Sequence, residues 1–178
     1  MPVLAAQYVI HPGTSSSVEF VSKAPMETVT GRTCAVSGNL RLDPESLGDS
    51  VQVRLEVDLA RLDTGIAMRD QHMRENHLHT STFPKAVFTG GRLADLSAPR
   101  LVAEQKVTGT ISGILELHGQ RQPLQAALEL TLQGGALHVV ARFKIKLADY
   151  GIPRPQFLVM KLDQIQSVTA DLTARPGE

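Results

Sequence analysis

Tryptophan is absent from this 178-residue chain, aromatic residues make up only 4% of it, and cysteine occurs once, at Cys34. With so few rings, a core has to be assembled from Val, Leu, Ile and Ala, which the 42% hydrophobic content can supply. A single thiol excludes an intrachain disulfide and leaves the redox compartment undetermined. Cys34 is expected to be a small buried or half-buried side chain, the usual setting of a free cysteine. Net charge is lacking as well, since 18 Lys and Arg balance 18 Asp and Glu. No long-range positive field exists to draw in nucleic acid or an anionic membrane, and no nucleic-acid partner is expected. No apolar run reaches the length of a membrane span. The N-terminus has neither a basic region nor a long apolar one, although residues 1–7 could be the trimmed end of an export signal, so export stays open.

Signatures of catalysis are missing too. Ser15, Ser16 and Ser17 follow Pro12-Gly13 as a turn and lack the context of an activated nucleophile. There is no glycine-rich phosphate loop, no Cys-x-x-Cys and no haem attachment pattern. Glu56 and Asp58 form a carboxylate pair on the polar face of a strand, where solvated surface is the simpler reading. Neither an enzyme nor a cofactor is expected.

What the chain does have is alternation of period two, the mark of half-buried strands. It is longest where Val51, Val53, Leu55, Val57 and Leu59 are separated by Gln52, Arg54, Glu56 and Asp58. Short strands are predicted over 8–10 and 18–24, a strand pair or one long bent strand over 29–42, and a strand over 85–90 that bends or ends at Gly90-Gly91. Three more follow over 106–117, 124–132 and 137–147, with 118–120 and 133–135 as hairpin tips. Pro123 is expected to delay pairing until after it. Final strands are placed at 157–162 and 166–174. Short turns wire strands antiparallel, so the class is all-β.

One segment breaks the pattern. Residues 67–78 have helical composition, with Met68, Met73 and Leu78 near one face and Pro84 limiting continuation. The segment brings three histidines, His72, His77 and His79. On a regular helix, residues five apart diverge by about 140°, so His72 and His77 are not expected to share a metal, and all three are read as exposed polar residues at a helix end.

The surrounding residues carry a resemblance. Leu62-Asp63-Thr64-Gly65, then Arg69-Asp70-x-His72-Met73-Arg74, then Phe83-Pro84-x-x-x-Phe88 resemble the central signature of the YceI family. Tyr8-Val9-Ile10-His11-Pro12 with Ser16 to Phe20 resembles its opening, and Tyr150-Gly151-Ile152 with Phe157 to Leu162 its close. His11 stands where the family more often has aspartate. The resemblance implies a lipocalin-like antiparallel eight-stranded barrel forming one domain over 7–174. It also implies a polyisoprenoid or similar long apolar ligand, and favours a periplasmic or secreted protein, with a cytoplasmic one left open.

An eight-stranded barrel is just wide enough to fill with side chains or to hold a small ligand. Gly109, Gly113, Ala126 and Ala141 on the inward stripes, with no tryptophan to plug the middle, favour unfilled volume. The expected cavity wall includes Phe20, Leu55, Phe88, Leu115, Phe143 and Leu158, with Met68 and Met73 beside it as adaptable thioethers. Arg69, Arg74 and Arg154 are candidates to meet a charged or polar head group. The expected function is sequestration or transport of a long isoprenoid, isoprenoid quinone or fatty-chain lipid without transforming it. A stress-related interaction module with a filled barrel and an enzyme acting on an isoprenoid or quinone are the rivals. A homodimer is compatible with the sequence.

Overall fold

The computed structural model describes residues 5–157 and 160–177. Its strands are β1 (Ala6–Ile10), β2 (Ser17–Ala24), β3 (Glu27–Thr33), β4 (Val36–Leu42), β5 (Gln52–Asp58), β6 (Lys85–Ala94), β7 (Val107–Leu117), β8 (Gln120–Gln133), β9 (Ala136–Lys146), β10 (Gln156–Phe157), β11 (Met160–Lys161) and β12 (Ile165–Pro176). The order β1-β4-β5-β6-β7-β8-β9-β12 closes when β12 pairs back onto β1, through Tyr8 opposite Pro176 and Val9 opposite Arg175. The result is a closed eight-stranded antiparallel barrel, the expected architecture.

Two staves of the barrel are broken. On one side of β12 lies β9; on the other lie β2 and then β1 in succession. Beside them, β3 pairs with β2 and β4 with β1. Segment 29–42 is therefore the bent strand and not the pair: β3 and β4 follow one another across a kink where the Val36 N–H donates to the Cys34 carbonyl. Cys34 is half-buried at that kink.

One expectation about strand limits is corrected. Pro123 sits inside β8, opposite Ile114 of β7. It is tolerated because the β8–β9 ladder begins only at Ala127, so no β9 carbonyl awaits the missing N–H. At Gly90-Gly91 the bend is what occurs: β6 absorbs one extra residue in a bulge between Gly90 and Arg92 and runs on to Ala94. The two hairpin tips are as read: His118-Gly119 and Gly134-Gly135 all have φ between 54° and 81°, the paired left-handed conformation whose twist suits a two-residue β-turn. Leu128 then faces Ala141, and Leu130 faces Val139.

Alternating strand directions divide the connections between two ends. At one, the loops after β4 and β6 are pinned together, with Leu47 N–H to Pro99 O at 2.8 Å and Leu101 N–H to Pro44 O at 2.7 Å, and both leucines are buried there. At the other end lie the β2–β3 and β7–β8 turns, the β9–β12 connection, and the long β5–β6 connection with its helix. That helix, α1 (Ala67–His72), continues as a π-helical turn over Met73–Leu78.

Candidate functional site: an apolar cavity under a latched helix

The barrel interior holds a cavity of about 700 Å³, within the range of small-molecule sites. Along β12 its wall runs from Gln166 to Leu172, about 20 Å at the rise of a strand. Phe20, Leu55, Phe88, Leu115 and Phe143 border it, as do Met73 and Met68 near α1. Met68 is 83% exposed and so stands on the rim, because the register of α1 turns it outward while Met73 and Leu78 pack on the core. Leu158 lies outside the described residues.

The volume does not come from the inward glycines. A Cβ on Gly113 would run into the Phe88 ring and the Thr89 carbonyl, and one on Gly109 into Leu96. Neighbours already fill both places, so that part of the sequence argument is corrected. Ala126 and Ala141 do border the space, as expected of small inward residues.

The signature residues around α1 act on one another. Asp63 Oδ1 accepts from the Gly65 N–H at 2.6 Å, fixing a turn in which Gly65 has φ 89°. Asp70, 4% exposed, accepts from both the N–H and the hydroxyl of Thr64. Burial pushes the Asp70 carboxyl up, but the Thr64 hydrogen bonds and the Arg74 charge outweigh it and hold the group below its usual value. Arg69 completes the latch. Its Nε donates to Thr64 Oγ1, Nη2 to Thr64 O, and Nη1 to Glu27 at 3.0 Å, tying the helix to the β2–β3 turn.

These bonds decide what the three candidate arginines offer. Arg69 borders the cavity with its Nε–H and one N–H on each Nη engaged. Arg154 donates to the Leu162 carbonyl and does not border the cavity. Arg74 faces an outer groove with Asp70 and Glu75, where its Nε has no hydrogen-bond partner among the described residues.

The histidines depart from expectation. A π-turn is wider than an α-turn, bonding i to i+5, and it brings the His72 and His77 rings to 5.0 Å, edge to face. His77 and His79 are half-buried, and only His72 is exposed. His79 reaches across to His118 in the β7–β8 turn, a partner that sequence spacing gave no means of finding. Among the described residues no group of three or more His, Cys, Asp or Glu is placed to hold a metal ion.

Two of the polar side chains that border the cavity carry an unpartnered atom. His77 Nδ1 lies 3.0 Å from the Pro153 carbonyl, which can only accept, so Nδ1 carries the proton. Its Nε2 is shut off from solvent with no partner among the described residues. Burial, with the nearby His72 and His79, pushes this imidazole below its ordinary 6.5 against the pull of Pro153. Ser22, 1% exposed on β2, also has an unpartnered hydroxyl among the described residues. Period-two alternation puts Ser22 on the same face as Phe20, whereas nothing in the sequence marked His77 as bordering the cavity.

Known proteins share this architecture. A polyisoprenoid binding domain from Saccharophagus degradans superposes with a TM-score of 0.73 at 20% identity, over 97% of this chain and 99% of that one. Burkholderia cenocepacia BcnA does so with a TM-score of 0.75 at 17% identity, over 89% and 95%. In sequence, a UPF0312 protein of Vibrio campbellii is 28% identical over 158 residues, covering 84% of this chain and 79% of the relative. Residues 8–174 match the YceI-like domain, and the chain belongs to the YceI family.

Proposed function

We propose that the barrel binds a long apolar molecule, a polyisoprenoid or a comparable fatty-chain lipid, and sequesters or carries it without transforming it. The observation that supports this reading is the cavity of about 700 Å³, walled almost wholly by apolar side chains and reaching from the helix-covered end deep into the barrel. A dry apolar cavity prefers an apolar guest to water, and each buried CH₂ contributes about 0.8 kcal/mol. The Saccharophagus degradans neighbour, described as polyisoprenoid binding, supports the same ligand class. The wall proposed to touch the chain comprises Phe20, Leu55, Phe88, Leu115 and Phe143, with Met73 beneath the helix and Met68 at the rim. Of the three arginines, Arg69 borders the cavity and is the one proposed to meet a polar head group. A periplasmic or secreted setting is part of the proposal and follows the family.

The test is native mass spectrometry of protein purified without detergent, followed by solvent extraction and identification of the bound species. A co-purifying isoprenoid or fatty-chain lipid is the expected result. Protein that never acquires a lipid, even when long-chain isoprenoids are supplied, would favour a barrel used as an interaction module.

A further inference from the structure

Exposed large apolar side chains are unevenly placed on this molecule. Among the described residues these are Met26, Ile66, Met68, Val102 and Ile165, and all but Val102 lie at the end of the barrel that α1 covers. Met26 is in the β2–β3 turn, Ile66 and Met68 are at the start of α1, and Ile165 opens β12. Two bonds draw these segments together. Arg69, beside Met68, donates to Glu27, beside Met26, at 3.0 Å. The Asp163 N–H, just before Ile165, donates to the Lys23 carbonyl at 2.8 Å, at the foot of the same turn. Single exposed apolar side chains are ordinary on a protein surface, but a group gathered around one opening is not.

That opening is the mouth of the cavity. Ile66 and Met68, 51% and 83% exposed, border both the cavity and solvent. At the opposite end the wall includes Leu42 and Val51, only 1% and 3% exposed, behind the pinned loops. A long apolar chain in water carries a cost that grows with every exposed CH₂, so its reservoir is the interior of a bilayer and not solution. An apolar collar around the mouth lets such a chain pass from one apolar medium to another without being wetted. Charges at the collar are of both signs, Lys23 and Arg69 against Glu27 and Asp163, and the chain as a whole is neutral. Contact with a bilayer would therefore rest on burying the collar, and not on attraction to anionic lipid.

We infer that the end covered by α1 docks on a lipid bilayer, with Met26, Ile66, Met68 and Ile165 entering its surface, and that the guest passes between bilayer and cavity during that contact. This inference rests on the cavity-binding reading and adds to it the partner from which the ligand is taken. Four side chains without a supporting positive field make a brief contact, which is read in the rate of transfer and not in stable binding.

The test loads the protein with a fluorescent long-chain isoprenoid, anthraniloyl-labelled geranylgeraniol, and follows its transfer to phosphatidylcholine vesicles that carry a quencher. Delivery by contact makes the rate rise in proportion to vesicle concentration, whereas escape through water gives a rate independent of it. Met26→Glu combined with Ile165→Glu should slow transfer about tenfold, because two charges now resist leaving water. Affinity for the probe should stay within about twofold, since neither side chain borders the cavity and distant sites act independently. Val102→Glu, at the opposite end, should leave the rate unchanged. The dependence on vesicle concentration in unmutated protein stands whether or not a variant folds. A rate independent of vesicle concentration, or no slowing in the paired variant, or equal slowing by Val102→Glu, overturns the inference and leaves the cavity reading intact. Self-association of the unmutated protein that Met26→Glu abolishes also overturns it, and assigns the face to a second copy of this chain. A probe that never binds overturns the cavity reading, and the inference with it.

Discussion

His79 Nδ1 and His118 Nε2 lie 2.7 Å apart, joining the end of the π-helical turn to the β7–β8 hairpin tip. The Tyr150 carbonyl, 3.0 Å from His118 Nδ1, can only accept, so His118 carries its proton there and receives one from His79 at Nε2. Phe83 packs against the same ring with centroids 4.8 Å apart. His118 thus links three connections at the covered end of the barrel. His118→Phe keeps a ring in place and removes both hydrogen bonds, and should lower unfolding free energy by about 1–2 kcal/mol, read by urea denaturation. An unchanged midpoint would mean that the histidine chain does not hold this end together.

Asp70 is the buried anchor of the Thr64 latch. Asp70→Ala leaves two Thr64 donors without their acceptor and should cost about 1–3 kcal/mol, with faster hydrogen exchange over α1 than over the barrel strands. Because the folded carboxyl is held below its usual value of 3.8, its contribution is complete above that pH and is lost as pH falls toward the lowered folded value. Acid titration of the unmutated protein should therefore show a loss of stability below about pH 4 that Asp70→Asn reduces.

For His77 the acid effect begins higher. The folded imidazole titrates below its ordinary 6.5, so as pH falls past that value the unfolded chain takes up a proton that the native protein refuses. Stability is full above this point and declines below it until the folded group also protonates. His77→Gln should flatten the slope of unfolding free energy between pH 7.5 and pH 5, and an identical slope in the variant would contradict the assignment.

Leu115 distinguishes a hollow barrel from a filled one. It is 7% exposed, borders the cavity and lies opposite Phe88 across the β6–β7 ladder. Leu115→Trp should intrude on the space and weaken binding of a long-chain isoprenoid about tenfold, or about 1.4 kcal/mol. Its cost in stability should stay below the roughly 1–3 kcal/mol of an overpacked core. A large stability loss without any change in binding would place the guest elsewhere.

The barrel was legible in the sequence because period-two alternation is local: the inward stripe from Leu124 to Leu130 can be read without knowing its neighbours. The helical insertion was legible for the same reason. What escaped depends on partners distant along the chain or on departures from ideal geometry. The His72 and His77 contact needs a π-turn, whereas the sequence argument assumed an α-helix. Pro123 within β8 is allowed only because β9 is missing on one side, a fact of topology. Arg69 read as a free guanidinium until Glu27, 42 residues away, was seen to be its partner. Gly113 read as empty space until Phe88 was seen to lie across it.

The late start of the β8–β9 ladder also leaves part of the barrel wall without hydrogen bonds between neighbouring strands. From Gln120 to Ala126, β8 is bonded to β7 alone, and from Phe143 to Lys146, β9 is bonded to β12 alone. Leu124 on one lip and Phe143 and Ile145 on the other border the cavity. Spreading these lips stretches side-chain contacts, each worth only about 0.1–0.2 kcal/mol per atom pair, and breaks no ladder hydrogen bond between the two strands. The wall thus has a seam on the side where Pro123 sits.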